Sequence, residues 1–227
     1  MKRTAIVAFL FILGFVFLQA ASIVIQGEIP VISSFNLFRK EADTSFGWNL
    51  ILVNDDYCIP SDYEVKLTEL ANGENVDSRI YPQLQQMFDD ARATGLELFV
   101  REGYRTTQEQ KDIMDERIQQ YLEEGYSRAE AKKLAEAYVA KPGTSEHELG
   151  IAVDINADTS ICSSDAVYTW LANNAYKYGF IKRYPDDKTE ITGVNNEPWH
   201  YRYVGVDTAR EIQEKGLCLE EYIESLK

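Results

Sequence analysis

The sequence predicts an α+β domain, a small antiparallel sheet flanked by helices, preceded by one N-terminal transmembrane helix. Three observations carry this prediction. Capped amphipathic segments occupy the middle of the chain, short β-branched and aromatic runs follow one another towards its end, and a long apolar run opens it. Parallel strands would need long crossovers, which the closely spaced C-terminal runs do not provide.

The 227 residues suit one globular domain with an extension, and 45% apolar with 12% aromatic content is enough for one core. A net charge of −14 excludes nucleic acid as a partner, because binding phosphates needs clustered Lys and Arg. Lys2 and Arg3 precede the run Ala5 to Ile25, which is long enough to span a bilayer core of roughly 30 Å as a helix. Leu18 would fall at the −3 position of a cleavage site after Ala20, a poor fit to signal-peptide processing, so an uncleaved anchor over residues 1–25 is expected. The positive-inside bias then puts the remainder outside the cytoplasmic membrane. Residues 26–47 read as a linker and 48–227 as the folded domain.

Within that domain, "WNLILVN" reads as a strand ending in a turn. Leu84, Met87, Phe88 and Ala91 mark a helix stopped at Gly95, and "LELFV" a second strand. Thr106 with Glu109, then Ser127 with Glu130, are capping-box pairs. The first starts a helix through Met114, Ile118, Tyr121 and Leu122, and the second one through Leu134 and Tyr138 that Pro142 and Gly143 end. "IAVDI" alternates β-branched residues as a strand, and Val167, Trp170 and Leu171 mark a helix stopping near Gly179. "FIKRY", "EITGV" and "WHYRYV" read as three more strands, and one or two helices from Thr208 to Leu226 close the chain. Cys58, Cys162 and Cys218 permit one disulfide at most, and none forms a C-x-x-C pair.

Both histidines of the chain lie in Gly- or Pro-marked loops beside carboxylates. His147 leads through Gly150 into the strand that carries Asp154. His200 follows Glu197, and Pro198 between them excludes a helical H-E-x-x-H site. A catalytic zinc commonly takes three protein ligands and keeps a fourth position open, so two histidines require a carboxylate or thiolate as the third. Asp154 is the candidate, giving His147, Asp154 and His200, and leaving Glu197 as general base. Arg105, at the end of a strand, would supply a fixed guanidinium facing a developing oxyanion. Glu146 and Glu148, which flank His147, are not assigned to catalysis.

Taken in order, "REGYRTTQEQ", "GTSEHELGIAVDI", "GFIKRYP" and "EITGVNNEPWHYRYVG" resemble the VanY-type D-alanyl-D-alanine carboxypeptidases of the LAS metallopeptidase group, over roughly Trp48 to Gly205. The resemblance implies a LAS/Hedgehog-type zinc peptidase fold with one zinc ion, acting on the terminal D-Ala-D-Ala bond of peptidoglycan stem peptides. It assigns His147, Asp154 and His200 to the metal, Glu197 and Arg105 to catalysis, and Gln108 and Ser145 to substrate contact. The expected protein is a monomer, held to a bacterial cell membrane by its N-terminal helix, with its domain outside. Two other readings stand beside it: an L,D-carboxypeptidase on tetrapeptide stems, and a non-catalytic wall-binding module with structural zinc.

Overall fold

The computed structural model describes residues 39–227. The expected anchor and most of the expected linker lie outside them. Among the described residues no helix is long and apolar enough to cross a membrane.

The centre of the domain is a four-stranded sheet of β5 (Leu98–Glu102), β6 (Ala152–Ala157), β7 (Phe180–Lys182) and β8 (His200–Tyr203), in the order β5-β6-β8-β7. Every neighbouring pair is antiparallel. Two small ribbons stand apart from it. β1 (Lys40–Glu41) pairs parallel with β2 (Tyr57–Cys58), so part of the expected linker is structured, and β3 (Leu67–Glu69) pairs antiparallel with β4 (Asn75–Asp77).

The main core joins Val153 and Ile155 of β6 with Leu84, Met87 and Phe88 of α1 (Tyr81–Ala93) and with Val167 and Leu171 of α4 (Ser164–Asn174). Burying each such side chain contributes about 1.5–3 kcal/mol, which is why the helical spacing read from the sequence fixes these two elements. Both expected capping boxes are present: Thr106 opens α2 (Thr107–Glu123) and Ser127 opens α3 (Arg128–Glu136). α3 stops short of Tyr138, which is 52% exposed, and its buried stripe is Ala131 and Ala135. At the C-terminus α6 (Val206–Lys215) and α7 (Leu219–Ser225) enclose a second apolar cluster with Ile181 of β7.

Two expected strands take other forms. Trp48–Leu50 is a 3-10 turn, and the extended backbone after it joins no sheet. The Asn49 carbonyl within the turn and the Ile51 carbonyl after it instead accept from Arg202 Nη2, at 3.2 and 2.8 Å. "EITGV" forms a single helical turn, α5 (Thr189–Thr192), closed by Gly193 at φ 72°. The segment lacks the alternating burial of a strand, since the consecutive Glu190 and Ile191 are both exposed. All three cysteines are free thiols.

Candidate metal centre and cleft

Sheet register builds most of the site. Asp154 of β6 lies directly opposite His200 of β8 and pairs on its other side with Glu102 of β5, after an irregularity between Val100 and Glu102. Residues directly opposite across antiparallel strands share a face, so three acidic or imidazole side chains form one row. The next strand continues it, as the Arg183 amide donates to the His200 carbonyl at 3.1 Å.

His147 reaches this row from a 3-10 turn, Glu146–Leu149. Ser145 caps the turn by accepting from the His147 amide, and Glu148 caps it by accepting from the Gly143 and Ser145 amides. Gly150 ends it at φ 72°, the left-handed region that suits glycine. The His147 ring is fixed by its Nδ1, 2.7 Å from the Gly103 carbonyl, so Nδ1 carries the proton and Nε2 turns towards Asp154. Glycine is required at 103, because a Cβ there would stand 2.1 Å from the Asn75 carbonyl oxygen.

His147 Nε2 and His200 Nδ1 stand 3.4 and 3.1 Å from Asp154 Oδ1. That oxygen is buried without a hydrogen bond. One ligand atom from each of the three residues lies within 4.8 Å of the others, and among the described residues no other such group of His, Cys, Asp or Glu occurs. Two nitrogens and one carboxylate oxygen converging on one buried point fit a zinc ion, which favours this donor set in tetrahedral geometry.

At His147 and Asp154 the electrostatics agree with that fit, whereas the carboxylates around His200 favour a proton that a metal would have to displace. Burial, and then the Arg105 charge, push His147 below its ordinary pKa, keeping the neutral ligand form. Burial opposes charge on Asp154, but the two histidines outweigh it and hold the carboxyl ionised. Burial likewise opposes charge on His200, yet the neighbouring Asp154 and Glu146 carboxylates raise it to about 9. Glu197 is pushed up, mainly by burial, and its Oε2 is 3.7 Å from His200 Nδ1.

A cleft of about 530 Å³ opens onto the three residues and is also lined by Arg101, Arg105, Arg117, Ser145, Glu197 and Trp199. Arg105 is held in it by Glu102 Oε1 at 2.5 Å and by Gln110 Oε1 at 3.0 Å. Gln110 is wholly buried and anchored in turn on the Ala140 carbonyl. Gln108, expected at the substrate, stands exposed on α2, bonds Asp112 and does not line the cleft, whereas Gln110 was not singled out in the sequence. The helical period carried the signal: with Met114 inward, position 110 is inward too and position 108 is not.

The VanY model, described as D-alanyl-D-alanine carboxypeptidase, matches residues 73–206. A D-alanyl-D-alanine carboxypeptidase of Enterococcus faecalis (strain ATCC 700802 / V583) is 56% identical over 188 residues, spanning 83% of this chain and 70% of that protein. The chain belongs to the VanY family. A crystal structure of a vancomycin-resistance D,D-pentapeptidase VanY, a Glu-to-Ala variant in complex with Zn(II), superposes with TM-score 0.76 at 58% identity, covering 78% of this chain and 99% of that one. The LdcB LD-carboxypeptidase superposes with TM-score 0.66 at 34% identity, covering 82% and 94%. Of the segments that carried the resemblance, "GTSEHELGIAVDI" forms the capped turn and β6, and "EITGVNNEPWHYRYVG" leads into β8.

Proposed function

We propose that this chain removes the terminal D-alanine from peptidoglycan stem peptides ending in D-Ala-D-Ala, outside the cytoplasmic membrane, as a zinc carboxypeptidase. One observation carries the reading: three buried ligand groups converge at the floor of an open cleft, with Glu197 and Arg105 beside them. A structural zinc would instead be closed by a fourth protein ligand. Membership of the VanY family and the likeness to D,D-carboxypeptidases support the substrate. The basic start and the apolar run Ala5 to Ile25 support a membrane anchor with the domain outside.

When bound, zinc supplies Lewis acidity, acidifying a water and polarising the scissile carbonyl. His147, Asp154 and His200 would hold it. Glu197, whose pKa burial raises, takes a proton from the attacking water and delivers it to the leaving D-alanine nitrogen. Arg105, immobilised by Glu102 and Gln110, directs its guanidinium at the oxygen that gains charge. Ser145 lines the cleft wall and contacts the peptide there, whereas Gln108 has no such position.

Incubating the zinc-loaded protein with pentapeptide and tetrapeptide stems tests the reading. D-Alanine is expected from the pentapeptide; release from the tetrapeptide alone would establish the L,D-activity of the LdcB likeness instead.

A further inference from the structure

Glu146 has no task in the reaction described above, yet its carboxylate is 1% exposed and lies against a metal-binding histidine. Its Oε1 accepts from Arg183 Nε at 2.8 Å and lies 2.9 Å from Arg202 Nη1. Its Oε2 faces His200 Nε2 at 3.5 Å, and among the described residues neither of these two buried atoms has a hydrogen-bond partner. Arg183 turns its two remaining nitrogens to Glu220 of α7, at 2.9 and 2.5 Å. Two buried cations thus neutralise two carboxylates, the arrangement in which buried charge survives.

The two histidines use opposite ring nitrogens. His147 rests its Nδ1 on the Gly103 carbonyl and turns Nε2 inward; His200 turns Nδ1 inward and needs an acceptor at Nε2. A metal-ligating histidine almost always donates its second N–H to a carboxylate or carbonyl, which sets tautomer and ring orientation. We propose that Glu146 is that acceptor, a positioning residue that fixes the Nε2–H tautomer of His200, and that α7 holds it in register through Glu220 and Arg183. Glu220 lies beyond residues 73–206, the segment the VanY model matches. The C-terminal helix is therefore wired to the metal centre from outside that segment.

The inference rests on the zinc reading of the site, and the experiment separates the two. Zinc content and affinity of the full-length protein are measured by chelator competition, and the imidazole nitrogens of the zinc-loaded protein are read by 15N NMR. Wild type is expected to bind one zinc with the His200 proton on Nε2. Glu146→Gln keeps the volume but removes the charge, and is expected to weaken zinc binding about 10- to 100-fold and shift the His200 signal at unchanged circular dichroism. Glu220→Gln, one arm further out, is expected to weaken binding in the same direction and by less.

If wild type takes up no zinc, the zinc reading falls and this inference with it. If wild type binds zinc and Glu146→Gln binds equally well with an unmoved His200 signal, the inference alone falls. Should Glu146→Gln fail to fold, the wild-type spectrum decides: a proton on Nδ1 of zinc-loaded His200 overturns the proposal, and one on Nε2 with a further loss of affinity in Glu220→Gln upholds it.

Discussion

Glu197 and Arg105 line the same cleft without belonging to the metal-binding group, so their removal should separate binding of metal from turnover. Glu197→Ala is expected to retain zinc and lose about 10²- to 10⁴-fold in kcat, the usual contribution of a positioned proton-transfer group. Zinc content beside D-alanine release checks it, and unchanged turnover would refute its role as base. Arg105→Ala is expected to keep zinc and lose about 10²- to 10³-fold in kcat, the scale of one oxyanion contact. An unimpaired kcat would remove Arg105 from the carbonyl. The metal-binding residues were legible in the sequence because a chain with two histidines puts both in marked loops beside carboxylates. Glu146 was not legible. Its meaning depends on Arg183, Arg202 and Glu220, which only the folded sheet and α7 bring to it.

Elements were readable where a local signal and the tertiary demand agree, as in the two capping boxes and in α1 and α4, whose apolar faces meet the sheet. They were misread where tertiary contacts replaced the sheet ladder, as at Asn49 to Ile51, or where a glycine ended a turn inside a β-branched run, as at Gly193. The same turns give a comparison of two glycines with φ 72°. A Cβ at Gly193 would meet nothing within 4 Å, so Gly193→Ala should cost only the backbone term, about 1–2 kcal/mol. At Gly150 a Cβ would also press on Val65 at 3.1 Å and on the Asp77 amide nitrogen at 3.3 Å. Gly150→Ala should therefore destabilise more in urea unfolding, and, because Gly150 ends the turn carrying His147, it should also weaken zinc binding. Equal costs would mean that the turn yields freely. A second element, the 3-10 turn Ala175–Tyr178, is tied to α1 by the Tyr178 hydroxyl donating to Asp90 at 2.6 Å. Burial, and then that carboxylate, push the Tyr178 pKa up to about 12. A raised folded-state value stabilises below the unfolded pKa of about 10 and fades as pH climbs through the folded one. The stability advantage of wild type over Tyr178→Phe should thus be constant below pH 10 and shrink between about 10 and 12; a flat difference across that window would exclude the bond.

The whole molecule is strongly acidic, at −14, while its cleft gathers Arg101, Arg105 and Arg117 along with buried carboxylates. The buried part of this charge is tolerated where it is paired, as Glu146 is with Arg183 and Arg202. Asp154 Oδ1 lies buried and without a hydrogen bond beside two imidazole nitrogens. Zinc binding should therefore couple to global stability, because the ligand geometry exists only in the folded sheet, where β6 and β8 hold Asp154 opposite His200. A ligand at 100 times its Kd adds about 2.7 kcal/mol when it binds the native state alone. For a domain of this size, each kcal/mol moves Tm by about 2–4 °C. Stripping zinc with a chelator should lower Tm by about 5–10 °C, and restoring zinc should recover it. Calorimetry beside measured zinc stoichiometry checks this: a protein that binds one zinc tightly with no change in Tm would place the ion away from β6 and β8.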